Sequence, residues 1–571
     1  MKTARIRALL LALSFIFAAG LSAQTYYAVS GIVVDSQSHA PLANAHVSIA
    51  LSASPDAKTE QVTKKDGRFS FTVTKPDLYS LQVMKPGYPS QHYKQAGYAG
   101  VSSGIVVRDD LDTTQIVFEA WRGGVISGQV KDPDSEPVGN ALVAIYQWAV
   151  YGGERRLIAR GQTRANALGE FRFFNLPRGN YYLCAMGRPW FANSIIAEDR
   201  IRQSVAKMAA ARPPTPVAVD KDAGDSDDVN LPVPQYSPDP GFRGSAFATT
   251  FYPSAPTFEE AAPVRVEVGG ETQLSITLPF ANAVSIHGTL NVPDKSSGRV
   301  ILYKKISDHR MSFLETSVRP DATFEFENVP AGPYEIVATS EAGSGPSSWF
   351  LTQDVVAGSS DMDVTLRPAG MGSLSGRVSF DGEGPAPNAG LFVTLRNEKG
   401  NAVRSQVTAG GAFTVRRIPS GRYEVTAGNN DYAALYAIGA SGEHLPLTVD
   451  LEPGEMVHRD LMLTPAVATV EGIVQKSGAP QIGACVLLLP RDRSLSGYRI
   501  DQSNSDGSYK LHTIPSGDYF LIAVTDGEDI AYRDPKVYAA LSTLAKPIHI
   551  DSRDRLKMNI DVVDTAALKL P

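Results

Sequence analysis

The 571 residues are too many for one hydrophobic core, and 43% hydrophobic with 20% charged residues excludes a chain disordered throughout. Length alone sets an expectation of roughly three to five domains. The net charge of −6 gives no basic footprint, which argues against nucleic-acid binding.

The chain opens MKTARIRALLLALSFIFAAGLSAQ. Lys2, Arg5 and Arg7 precede an apolar run from Ala8 to Ala19, and the small residues Gly20, Ser22 and Ala23 follow. This is the pattern of a secretory signal peptide, with cleavage expected after Ala23. The apolar run is shorter than the ~20 residues a spanning helix needs. No later run is longer, so the expectation is an exported chain without a transmembrane segment: periplasmic, on the outer surface or extracellular.

Two short stretches then recur along the chain. The first is a strand with a central glycine: VSGIVVD (29–35), ISGQVKD (126–132), IHGTLNV (286–292), LSGRVSF (374–380) and VEGIVQK (470–476). The second is GEFRFFNLPRGNYYLCA (169–185), repeated as ATFEFENVPAGPYEIVA (322–338), GAFTVRRIPSGRYEVTA (411–427) and GSYKLHTIPSGDYFLIA (507–523). Its alternating Phe171 and Phe173, then Tyr181, Leu183 and Ala185, carry the period of half-buried strands and predict a β-hairpin. Pro177–Gly179, Pro330–Gly332, Pro419–Gly421 and Pro515–Gly517 fit its turn, Pro fixing a negative φ and Gly allowing a positive one. GRFSFTVTKPDLYSLQV (67–83) is a degenerate copy in which Asp77 takes the glycine place, tolerable because Asp enters left-handed backbone more easily than most residues.

A further strand lies between the two stretches in each copy, as in ALVAIY (141–146) and CVLLLP (485–490), and a closing strand follows, as in TQLSITLP (272–279). Several short strands per roughly 90–100 residues predict β-sandwiches in tandem. The expected organisation is a signal peptide (1–23) and five all-β units at 24–121, 122–282, 283–370, 371–466 and 467–571. The second carries an insertion (191–250) with a helical pattern at 194–212 and a Pro-rich acidic loop at 213–235, and the fifth a short helix at 536–545. Cys184 and Cys485 lie in different units and read as small buried strand residues, not as a disulfide.

These stretches resemble the carboxypeptidase regulatory-like domain, a transthyretin-like β-sandwich also grouped under a carbohydrate-binding-like fold. The residues that carry the resemblance are the SGxV strand, the GxFxFxxLPxGxYxLxA stretch and the TLP-type closing strand. The order of units is similar to multi-domain secreted proteins common in Acidobacteria. The resemblance implies a tandem, Ig-like all-β fold. It says little about function, since such domains also accompany peptidases, outer-membrane receptors and polysaccharide-handling proteins.

Catalytic patterns fare poorly. The nine histidines are scattered over different units without an HExxH spacing, so no zinc carboxypeptidase constellation is expected. GVSSG (100–104) has the letters of a nucleophile elbow around Ser102, but a strand-like IVV follows where a helix is needed. Asp222, Asp225, Asp227 and Asp228 lack the donor order of a calcium loop. Some adhesin sandwiches carry a Lys–Asn isopeptide bond promoted by a buried acid four places after the turn tyrosine. Here those places hold Val83, Ala185, Ala338, Ala427 and Ala523, which cannot shuttle a proton.

Binding remains. Trp148, Trp190, Phe191, Tyr236, Phe251 and Tyr252 cluster in the second unit and are the candidate ligand residues, sugar faces stacking on flat rings. The alternative is that they pack the second unit onto its neighbour. The sequence therefore predicts a non-enzymatic exported binding or scaffold protein of the cell envelope, with a polysaccharide or an envelope protein as partner and no cofactor. An accessory of an outer-membrane receptor or secretion system, and a hydrolase with an unfamiliar site, are the alternatives. Tandem units are expected to display their loops along an extended surface.

Overall fold

The computed structural model describes residues 26–95, 102–188, 245–292, 298–307, 309–340, 350–367, 371–380, 390–397, 402–429, 432–439, 441–452, 454–465, 468–493, 497–527 and 529–568. The expected signal peptide, the 194–212 helix, the acidic loop at 213–235, Trp190, Phe191 and Tyr236 lie outside these residues.

Each glycine-containing stretch is a strand: Tyr27–Asp35, Gly124–Lys131, Phe280–Leu290, Gly372–Phe380 and Ala468–Lys476. Each pairs antiparallel with the first half of the aromatic stretch and parallel with the closing strand of its unit. The central glycine permits that parallel pairing. A Cβ on Gly376 would lie 1.8 Å from the Arg459 carbonyl oxygen, and one on Gly31 would lie 2.0 Å from that of Ile116.

The aromatic stretch is not a hairpin. Its first strand (Glu170–Leu176 in the second unit) lies in the sheet of Gly124–Lys131, whereas its second (Gly179–Met186) pairs with Leu142–Tyr151 in the facing sheet. The same pairing holds in the other units, so the stretch arches from one layer to the facing one; in the fourth and fifth units further strand pairings join the two layers into one sheet. Alternation alone does not distinguish an arch from a hairpin, because both bury every second side chain. The turn itself is made by a left-handed residue two places before the proline, at Asn175, Asn328, Arg417 and Thr513, followed by a positive-φ glycine. At each of these places the strand register slips, as at a β-bulge. Asp77 is not left-handed, contrary to expectation; the first unit makes its arch without a positive-φ residue at the glycine place.

The tyrosine two places after that glycine secures the arch. Tyr79, Tyr181, Tyr334, Tyr423 and Tyr519 are buried, and each hydroxyl donates to the carbonyl four residues upstream at 2.8–3.0 Å. Between the sheets lie five hydrophobic clusters in sequence, the architecture of tandem β-sandwiches. In the fifth unit a helix, Pro535–Leu544, covers a satellite cluster with Val537 and Leu541; Asp534 caps it by accepting from the Lys536 and Val537 amides.

The joints between units are built from specific contacts. Between the first and second, the buried Asp35 carboxylate accepts from Arg122 Nε and from the Tyr88 hydroxyl, both at 2.8 Å. Gln91 exchanges two side-chain hydrogen bonds with the Trp121 backbone at 2.9 Å. Between the second and third, the short strand Ser245–Phe247 pairs with Phe280–Leu290 of the next unit.

The array also closes on itself, which differs from the extended arrangement expected. The loop after Gln502 in the fifth unit docks on residues 102–108 of the first. Ser103 Oγ donates to Ser503 O at 2.7 Å, Gly104 N to Asn504 Oδ1 at 2.9 Å, and Val106 N to Ser505 Oγ at 2.9 Å. Ser505 N returns a bond to Gly104 O at 3.0 Å, and Arg108 pairs with Asp506 at 3.3 Å. These side chains act as a neighbouring strand would, capping the outer edge of Ile105–Val106, whose inner edge pairs with Leu78–Lys85. Ser103 and Gly104 of GVSSG are thus part of a docking loop. Arg533 ties three units at once: its amide donates to Gly153 O at 2.9 Å, its guanidinium lies 3.8 Å from Glu424 Oε1, and it stacks over Tyr498.

Two measurements test these joints. Burial alone raises the Asp35 pKa, but the Ser38 amide, Arg122, the Tyr88 hydroxyl and the Ser38 hydroxyl outweigh it and hold the carboxyl well below the usual range. A folded-state pKa below the unfolded one gives stability that is present above about pH 4 and lost on further acidification. Asp35→Asn should therefore melt below the parent near pH 7, and the gap should begin to narrow below about pH 4 and keep narrowing down to about pH 2; a gap that stays constant over that range in thermal scans contradicts the assignment. Asn504→Ala should speed amide hydrogen exchange at Gly104 by about tenfold or more, because its acceptor is lost.

Candidate functional site

The strands Leu142–Tyr151 and Glu154–Arg164 form a long antiparallel arm on the second unit. Trp148 sits on it and is 38% exposed, as is Tyr151 at 53%. The other candidate rings that the structure describes turn inward. Phe251 is buried, and Tyr252 is half-buried against the core of the second unit.

Phe258, which the sequence analysis did not single out, organises these rings. Its centroid lies 5.2 Å from Tyr182, 6.0 Å from Phe251, 6.4 Å from Trp148 and 6.5 Å from Tyr146. Around it, Tyr146, Leu157, Cys184 and Met186 of the second unit meet Ile306 and Met311 of the third in one cluster. His309 of the third unit stacks 5.6 Å from Tyr146 and bonds to Leu157 O across the seam. The aromatic cluster is mainly an inter-unit core, with Trp148 at its rim. The only local signal for Phe258 was an aromatic in a polar loop (TFEE), which carries no periodicity.

Beside this seam a small cleft of about 50 Å³ opens between the units, lined by Asn140, Leu142, Arg164, Arg188 and Phe313. Arg164 donates to the backbone and side-chain oxygens of Asn140 at 3.2 and 3.5 Å, and Arg188 stacks over Phe313. Lys304 lies nearby in the third unit, nearly buried over the Tyr334 ring at 4.4 Å. Burial lowers its pKa to about 8, against an opposing influence of Cys184. Burial pushes the Cys184 thiol up to about 12, and likewise Cys485, so neither is a reactive thiolate at neutral pH. Both cysteines are free and buried.

The catalytic patterns weighed from sequence do not converge. Ser102 adjoins the docking loop, and the neighbouring Ser103 hydroxyl is committed to Ser503 O. Among the described residues no group of three or more His, Cys, Asp or Glu side chains is placed to hold a metal ion. The acidic group at 222–228 lies outside the described residues. Val83, Ala185, Ala338, Ala427 and Ala523 are buried at the places where isopeptide-forming sandwiches carry the promoting acid. Pro177, Pro330, Pro419 and Pro515 serve as carbonyl acceptors for the arch tyrosines, a structural role.

Residues 28–115 match the carboxypeptidase regulatory-like domain. The match covers the first unit, whose arch is the degenerate one. Two human proteins, BOS complex subunits NOMO3 and NOMO1, are each 27% identical over 178 residues, covering 28% of this chain and 14% of theirs. The chain thus spans a small part of those relatives. Among solved structures, the Bacillus anthracis TIE protein aligns over 81% of this chain and 79% of its own, at 12% identity and a TM-score of 0.15. A streptococcal ancillary pilin aligns over 60% and 99%, at 11% identity and a TM-score of 0.17. GBS52, the minor pilin of Streptococcus agalactiae, aligns over 32% and 96%, at 12% identity and a TM-score of 0.21.

The seam assignment makes a contrast between two rings. Phe258→Ala should lower the melting temperature, with a loss of about 2–4 kcal/mol for a ring removed from a packed cluster. Trp148→Ala, at the exposed rim, should cost less than about 1 kcal/mol. Equal losses in chemical denaturation would place both rings in the same environment and contradict the structure.

Proposed function

We propose that this chain is an exported, non-enzymatic binding or scaffold protein of the cell envelope, with a polysaccharide as its ligand. The observation that carries the reading is where the chemistry-bearing side chains go. The arch tyrosines hold turns, Ser103 and Arg533 join units, and the buried cysteines fill strands. What is left exposed is a set of aromatic and arginine side chains on rigid sheets, suited to binding without bond-breaking. Trp148, at the exposed rim of the aromatic seam, is the candidate sugar platform. The basic, apolar N-terminal segment supports export, and among the described residues no helix is long and apolar enough to cross a membrane.

Affinity electrophoresis of the full chain through a panel of polysaccharides tests this. Retardation by one glycan, weakened several-fold by Trp148→Ala, is the expected result. Unchanged mobility in every gel, with one envelope protein co-purifying in stoichiometric amount, would replace the glycan by a protein partner.

A further inference from the structure

The fifth unit carries a second exposed surface of a different kind, and we propose that it binds an acidic polysaccharide through planar arginine–carboxylate contacts. This inference goes beyond the seam of the second unit and rests on the reading of the chain as an exported glycan-binding protein. Three arginines stand over three rings here: Arg491 over Phe520 at 5.2 Å, Arg493 over Tyr538 at 5.0 Å, and Arg533 over Tyr498 at 4.9 Å. Such stacks occur about once per 70–80 residues on average, so three between positions 491 and 538 form a local concentration.

The stacks are contiguous. Phe520 and Tyr538 are edge-to-face neighbours at 6.5 Å, and Arg493 donates to the Arg533 carbonyl at 2.9 Å. Tyr498 lies 5.7 Å from Tyr532, which packs on Gly153 of the second unit. The rings are held from behind: Tyr538 donates to Pro490 O at 2.9 Å, and its helix is pinned by the Asp534 cap. The platform is therefore rigid before any ligand arrives, which limits the ordering cost of binding.

Charge favours an anion. Arg491 and Arg493 are exposed, and among the described residues neither is in an ion pair. The acids around them are otherwise engaged. Asp518 pairs with His549, Asp534 caps the helix, and Glu424 faces Arg533 at 3.8 Å; Asp492, between the two arginines, also has a partner. A guanidinium held over a ring keeps a planar N–H fork for bidentate contact with a carboxylate, which a lysine ammonium does not offer. A uronate residue carries such a carboxylate on each sugar.

The test is affinity electrophoresis of the full chain in polygalacturonate, dextran sulfate and neutral dextran, with R491A/R493A and R491K/R493K variants. The parent should be retarded by polygalacturonate, the double alanine variant about tenfold less, and the double lysine variant in between. Equal retardation of parent and double alanine variant overturns the proposal. So does a parent bound equally by dextran sulfate with no loss in the lysine variant, since that is charge attraction alone. If the parent is retarded only by neutral glycans, this surface is not the site while the glycan-binding reading stands; if no polysaccharide retards it, both fall.

Discussion

Every unit depends on one hydrogen bond that a buried phenol cannot forgo. Tyr181 and its four counterparts place a large ring between two sheets, where an unpartnered hydroxyl would be costly. The acceptor used in all five is a carbonyl of the turn itself, so satisfying the phenol also fixes how the chain crosses from one layer to the other. The left-handed residue before the proline and the glycine after it are the backbone consequences. Even the first unit, which lacks that glycine, keeps the bond through Lys75 O.

The strands and the arch anchors were legible because each leaves a local mark: alternation in FRF and YYL, a glycine where a carbonyl approaches, a proline, a tyrosine. The arch itself was not, since pairing partners decide between arch and hairpin, and those lie tens of residues away. Asn175 and Asn328 at the left-handed place are residues that tolerate it, whereas Arg417 and Thr513 give no such sign. The candidate site was less legible still. Trp148 and Phe251 belong to the same unit, yet one is exposed and the other buried, and Phe258, which arranges both, sits in a polar loop without periodicity.

The docking of the fifth unit on the first was invisible in the sequence for a simple reason. Ser103, Asn504 and Ser505 are small polar loop residues, and nothing local separates an acceptor facing solvent from one facing a backbone amide 400 positions away. Closure changes what tandem units can do. A flexible string offers its sites at variable spacing, whereas a body clasped at Arg533 and at the Asn504 loop offers them at fixed distances and angles. Ligand geometry must then match the protein, which favours a regular polymer over an irregular surface.

The capped edge of Ile105–Val106 also sets an order of events. The first unit contains all its own strands and is complete as a sandwich early in synthesis, but the side chains that cover its outer edge are made about 400 residues later. Until then a short strand stands with bare amides, the kind of template other chains can extend. A chaperone that occupies that edge while the remaining units emerge, and yields to Asn504 and Ser505 at the end, would protect the protein at the one stage when its own sequence cannot.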